Sequence, residues 1–198
     1  PIAPRLTIKN LDMVRAIHRL EVIVVAGLHD IAVLVDAVRD GRDYEELKAA
    51  LGPYAKSLPL KCSFEHDLRF SELVEQAQES LDSAREWQGY FNPEESTASR
   101  SAVSFEWVES VPKQQAGDVV FSVARQYTCI DHFRVKLCCF VSEDSFTTEF
   151  HYDAALFQPQ TVERIAGHFA TLLESATRNP NARLSELAVL SEAERQLL

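Results

Sequence analysis

His151 and Asp153 are the pair best spaced for chemistry in this chain. They end a period-two run of Phe146, Thr148, Phe150 and Tyr152, so on a strand both side chains leave the same face. A carboxylate beside an imidazole can orient the ring and stabilise its charged form, as in many general bases. A surface pair on a half-solvated sheet has the same spacing, and that plainer reading outweighs the dyad. His18 and His168 lie near apolar helical stripes and read as packed helix histidines. Asp131-His132 opens a strand and reads as a strand-edge pair. No GxSxG elbow, Walker loop, GxGxxG turn or HExxH helix is present. Cys62, Cys129, Cys138 and Cys139 show no metal-ligand spacing. On a strand, Cys138 and Cys139 point to opposite faces and cannot share a metal. The residues therefore assign no catalytic group and no metal site. The cysteines read as free core thiols.

The elements that must position these groups alternate between helix and strand. Asn10 or Asp12 can cap a first helix bearing Leu11, Val14, Ile17 and His18. Val22 to Ala26 fits either a helical extension or a short strand. Ile31 to Val38 predicts a buried strand, and Tyr44 to Leu51 a short helix stopped by Gly52-Pro53. Ser57 to Phe64 predicts a strand whose Pro59 belongs at a sheet edge or a bulge. Phe70, Leu73, Val74, Ala77, Leu81 and Ala84 recur at helical spacing and predict a helix from Phe70 to Trp87. The polar stretch from Asn92 to Arg100 reads as a loop. Four strands are expected after it: around Val103, Phe105 and Trp107; around Phe121, Val123 and Tyr127; from Phe133 to Val141; and from Phe146 to Tyr152. Glu143-Asp144-Ser145 is the expected turn between the last two. A closing helix carries Val162, Ile165, Ala166, Phe169, Leu172, Leu173 and Ala176, with Pro159 near its start. Ser191 and Glu194 form a capping box for a last short helix. Trp87, Tyr90, Phe91 and Trp107 read as packing in a core or at an interface; a ligand cage is the weaker reading.

Composition narrows the partners. The 198 residues are 46% hydrophobic and 25% charged, ordinary values for a globular chain with a real core. The net charge of −10 argues against nucleic acid, which is bound through neutralised phosphates, and against anionic lipid surfaces. Cysteine usage and the lack of a long apolar run behind Pro1-Ile2-Ala3-Pro4-Arg5 point to the cytoplasm. The most apolar window, Val22 to Val38, is broken by His29, Asp30 and Asp36, so no membrane span is expected.

Several short runs, in order, resemble the condensation domains of nonribosomal peptide synthetases. Gly41-Arg42, then Leu51-Gly52-Pro53-Tyr54-Ala55-Lys56-Ser57-Leu58-Pro59-Leu60-Lys61, is similar to the family's I-G-x-F-V-N-T-x-x-L-R, with Lys56 in place of the asparagine. Trp87-Gln88-Gly89-Tyr90-Phe91-Asn92-Pro93-Glu94 is similar to H-Q-D-Y-P-F-E, with tryptophan in place of histidine. Ser99-Arg100-Ser101 matches the first two positions of S-R-N-P-L-F. The run from Phe150 to Phe157, the helix behind it and the tail Ser191 to Leu198 resemble the end of such a domain, where the chain heads for an adenylation domain.

The resemblance implies an α+β fold, a two-layer α/β sandwich: a chloramphenicol-acetyltransferase-like lobe with a mixed sheet flanked by helices. Residues 1–187 would form the C-terminal lobe and 188–198 the start of the condensation–adenylation linker. The implied partners are an N-terminal condensation lobe, peptidyl carrier domains and an adjacent adenylation domain. No cofactor is bound directly; phosphopantetheine arms arrive on the carriers. The family's H-H-x-x-x-D-G histidine belongs to the other lobe, so this chain alone is expected to be inactive. Tyr54, Lys56 and Ser57 become candidates for the wall of the tunnel between lobes, with His151 and Asp153 as weaker candidates. A noncatalytic condensation-like scaffold that holds adenylation and carrier domains is the alternative. A stand-alone enzyme built on His151 and Asp153 is a distant third.

Overall fold

The computed structural model describes residues 2–8, 33–39, 42, 45–52, 54–62, 68–92, 103–109, 111, 113–123, 133–141 and 146–197. Six strands, β1 (Ile2–Ile8), β2 (Val33–Arg39), β3 (Lys56–Cys62), β4 (Val103–Glu109), β7 (Val135–Val141) and β8 (Phe146–Tyr152), make one sheet in the order β1-β8-β7-β4-β2-β3. β2–β4 and β4–β7 run parallel, and the other neighbours antiparallel, so the sheet is mixed as expected. Pro59 lies on β3, at an edge, where a missing N–H is tolerated. β5 (Gln114–Ala116) and β6 (Val119–Phe121) form a separate two-stranded hairpin. Gly117 at φ 63° opens its two-residue turn, a conformation that favours glycine.

Helix α1 (Phe70–Trp87) crosses from β3 to β4 and packs over β3. Its stripe of Phe70, Leu73, Ala77 and Leu81 is buried, and Leu60 meets Ala77 and Leu81. Helix α2 (Pro159–Arg178) starts with Pro159 at its first position and packs over β1 and β8. Val162, Ala166, Phe169, Leu173 and Ala176 join Phe105, Leu137, Cys139, Phe150 and Tyr152 in one core. Phe150 and Phe169 meet edge to face at 5.8 Å between ring centroids.

The opposite face of the central strands is buried too, but polar. Lys136 Nζ lies 3.0 Å from Glu106 Oε2, with side-chain exposures of 1% and 8%. Cys138 donates its S–H toward the same oxygen at 3.8 Å. Lys136 Nζ also sits 5.4 Å from the Phe133 ring centroid. Cys138 and Cys139 are buried, as thiols, on opposite faces, as the strand spacing requires.

The segment after α2 turns back over the start of α1. Pro180 O accepts from Ser71 N–H at 2.9 Å and Ala182 O from Phe70 N–H at 3.0 Å, so two N–H groups that a helix start leaves orphaned are satisfied. Leu184 N–H donates to Leu68 O at 3.0 Å, and Ala182 and Leu187 are buried in the core. Ala188 N–H donates to Ser175 Oγ at 3.0 Å. Helix α3 (Glu192–Arg195) follows, with the expected capping box: Ser191 N–H and Oγ donate to Glu194 Oε2, and Glu194 N–H to Ser191 Oγ. Glu194 Oε1 lies 3.0 Å from His168 Nε2 on α2.

Other expectations shift. The expected helix over Tyr44 to Leu51 is one turn, Glu45–Leu47, and Tyr44 lies outside the described residues. The expected strand around Phe121 is shorter and earlier. Val123 is exposed outside it, and Tyr127 lies outside the described residues. The helix from Asn10 to His18, the segment Val22 to Ala26, Ile31, Asp131-His132, the turn at Glu143 to Ser145, the loop positions 93–100, and Cys129 also lie outside them. Among the described residues, no helix is long and apolar enough to cross a membrane.

Leu73 is 1% exposed, so Leu73→Ala should cost about 2–5 kcal/mol in chemical denaturation. Glu106→Ala removes the carboxylate 3.0 Å from the buried Lys136 ammonium and should cost about 3–5 kcal/mol by the same measurement, whereas Glu106→Leu with Lys136→Met should recover most of it. Glu194 is held down from its ordinary 4.5 to about 2, first by the Ser191 hydroxyl, then by the Ser191 N–H and by His168. A depressed carboxylate stabilises above its unfolded pKa and loses that contribution as pH falls through the folded one. NMR of the Ser191 and Glu194 amides should therefore report a titration centred near 2, and Glu194→Gln should abolish it.

Candidate functional site

The loop 50–55 feeds the edge strand β3, and the expected tunnel candidates sit at that junction. Arg42 holds the loop. Its Nε donates to Ala50 O and its Nη2 to Gly52 O, both at 3.1 Å, and its guanidinium carbon lies 4.9 Å from the Tyr54 ring centroid. Gly52 has φ 150°, and a Cβ there would meet Tyr54 Cε2 at 3.1 Å. Tyr54 N–H donates to Gly52 O at 3.1 Å, so that carbonyl accepts from both sides of the staple.

Lys56 begins β3, opposite Arg39, and its Nζ donates to Gln88 O at 2.8 Å, tying the strand to the residue that caps the end of α1. Ser57 is next, and its Oγ is buried without a hydrogen-bond partner, as is Gln88 Oε1. An unsatisfied buried acceptor costs about 1–3 kcal/mol, so this corner of the sheet carries polar groups the fold itself does not satisfy. Trp87 and Tyr90 flank it, 64% and 83% exposed and 5.9 Å apart. Trp107 instead packs against the core, so the sequence's aromatic cluster divides between core and surface.

His151 is half-buried on β8, and the carboxylate at its Nε2 is Glu149 Oε2 at 3.2 Å. Asp153 has another task. Its Oδ1 accepts from Ala155 N–H at 2.9 Å and its carbonyl from Leu156 and Phe157 N–H, shaping the turn into α2. His151 stands opposite Lys136 in register, and Glu149 opposite Cys138, so this histidine borders the buried polar face of the sheet.

Sequence reasoning gave no role to Arg42, Gln88, Glu149, Lys136 or Glu106. A signal did exist for the last three. Ser104 and Glu106, Lys136 and Cys138, and Glu149 and His151 occupy the off-core positions of neighbouring strands, and their charges are complementary. No group of His, Cys, Asp and Glu among the described residues could hold a metal ion.

The condensation-domain family model matches residues 29–198. The chain is 25% identical over 173 residues to surfactin synthase subunit 2 of Bacillus subtilis (strain 168), covering 82% of this chain and 5% of that protein. It is 24% identical over 184 residues to bacitracin synthase 2 of Bacillus licheniformis, covering 84% and 7%. Among solved structures, it superposes on the first condensation domain of the CDA synthetase with a TM-score of 0.74 at 16% identity, over 96% of this chain and 48% of that one. It superposes on the four-domain nonribosomal peptide synthetase holo-AB3403 with a TM-score of 0.78 at 13% identity, over 97% and 18%. The chain therefore spans about half of a solved condensation domain and a small part of each synthetase. The fold is the expected chloramphenicol-acetyltransferase-like one. With the family model covering most of its length, the chain belongs to the condensation-domain family of the nonribosomal peptide synthetases.

Proposed function

We propose that this chain is the second lobe of a condensation domain and forms one wall of the tunnel in which a carrier-bound amine attacks a carrier-bound acyl thioester. The observation that carries this reading is the hairpin β5–β6. It belongs to a sheet of its own, and Val119, Val120 and Phe121 are 55–59% exposed. An exposed apolar strand in water is costly for a lone lobe and natural for one that crosses onto a neighbour. The half-length match to a solved condensation domain agrees with a missing first lobe.

In the reaction, the amine nitrogen adds to the thioester carbonyl, the C–N bond forms and the C–S bond breaks. The amine proton ends on the departing pantetheine thiol by way of a base. This lobe contributes positioning, and the base comes from the other lobe. Tyr54, Lys56 and Ser57 line the wall. One of the three ammonium donors of Lys56 points at Gln88 O, which leaves others to meet a carboxylate on an acceptor side chain. Phosphopantetheine arms on carrier domains deliver both substrates, and residues 188–198 begin the linker to an adenylation domain.

Loaded donor and acceptor carriers supplied to this chain alone should yield no dipeptidyl thioester by mass spectrometry. Adding the first lobe should restore it. Val120→Asp with Phe121→Asp should abolish that restoration and the association of the lobes, without changing the melting temperature of this lobe. Turnover by the chain alone would sink the reading. Association of the lobes without turnover would favour the scaffold alternative.

A further inference from the structure

We propose that Arg42 is the positioning residue of the tunnel wall, the group that presets Tyr54 against a carrier-bound substrate; this rests on the reading of the chain as a condensation lobe. Three contacts converge on one side chain. The guanidinium fork grips two carbonyls, Ala50 O and Gly52 O, and its face covers the Tyr54 ring at 4.9 Å. The Gly52 carbonyl it holds is the one that accepts from Tyr54 N–H, so Arg42 fixes both the backbone and the ring of Tyr54. Gly52 completes the device. Its φ of 150° is a conformation that side-chain-bearing residues rarely adopt, and a Cβ there would press on the Tyr54 ring at 3.1 Å.

Only arginine offers this combination. A lysine brings a point charge without the planar fork that reaches two carbonyls and stacks on a ring. The loop would then keep its charge and lose its geometry. Tyr54 holds bound substrate and transition state alike, so its displacement raises KM and leaves kcat in place. A variant that merely folds less well does the reverse, because fewer active molecules lower the apparent kcat at unchanged KM.

The test uses the full-length protein with both lobes. Arg42→Ala should raise KM for one of the two carrier-bound substrates roughly tenfold, the equivalent of one charge-assisted hydrogen bond, with kcat retained. Hydrogen exchange of a peptide spanning 48–57 should rise in parallel. Arg42→Lys should behave like Arg42→Ala, whereas guanidinium added at subdenaturing concentration should lower the KM of Arg42→Ala. Gly52→Ala should reproduce the KM increase with Arg42 intact. Wild-type KM values in Arg42→Ala, or full function in Arg42→Lys, overturn the proposal, as does a fall in kcat alone. A wild-type protein that does not condense overturns the underlying reading instead, and the exchange measurement still reports whether Arg42 holds the loop.

Discussion

Lys136 is nearly without solvent exposure, and its ammonium must be paired. That constraint reaches through the whole sheet. The carboxylate that pairs it stands on the neighbouring strand, one diagonal step from the directly opposed residue, since Glu106 aligns with Cys138 and Ser104 with Lys136. A slip of one residue in β4 or β7 would turn these charges into the core of Phe105, Leu137 and Cys139. Apolar packing alone would discriminate less sharply, because hydrophobic side chains of similar size tolerate exchange. The ion pair therefore penalises the wrong register more than it stabilises the right one. Once β4 and β7 are fixed, β2 and β8 follow by pairing, and the helices find their face.

A second closure acts along the chain rather than across the sheet. The α1 start would leave its first N–H groups unpaired, and the segment after α2 supplies carbonyls from Pro180 and Ala182. The segment after α2 thus completes a helix that begins about 110 residues earlier. Such long-range pairing couples the stability of α1 to the path of the outgoing chain. The short helix α3 is in turn clasped to α2 through Glu194 and His168, so its position is set by the fold and not by a free tether.

The helices and central strands were legible because single periods describe them. The stripe from Phe70 to Leu81 repeats every three or four residues. Both Phe146–Tyr152 and the Phe133–Val141 run alternate strictly. Their physical cause is one apolar face in each. The polar face escaped notice for the same reason: alternation marks Glu106 and Lys136 as outward, and a single strand cannot reveal that outward is also buried. Strand β1 was not foreseen. It is an edge, carries Pro4, and shifts register between Ile2 and Arg5, so proline and bulge hide the period. In the site, His151 and Asp153 share a face by spacing, but Asp153 falls just past the strand end, where its side chain serves the turn. Glu149, two residues back and still within the pleat, is the carboxylate that reaches the imidazole.

The candidate wall combines an edge strand with restraint from both ends. Edge strands have one partner only, so their side chains drift unless something else holds them. Here β2 pairs every position from Lys56 to Cys62 on one side. Lys56 anchors the first of these to α1 through Gln88 O, and Arg42 staples the loop before it. Placement of Tyr54 thus depends on contacts from two other parts of the chain, not on the local sequence 51–57. The long cationic side chain at position 56 reaches the backbone carbonyl of the residue that caps the neighbouring helix and so acts as a strut between the edge strand and that helix.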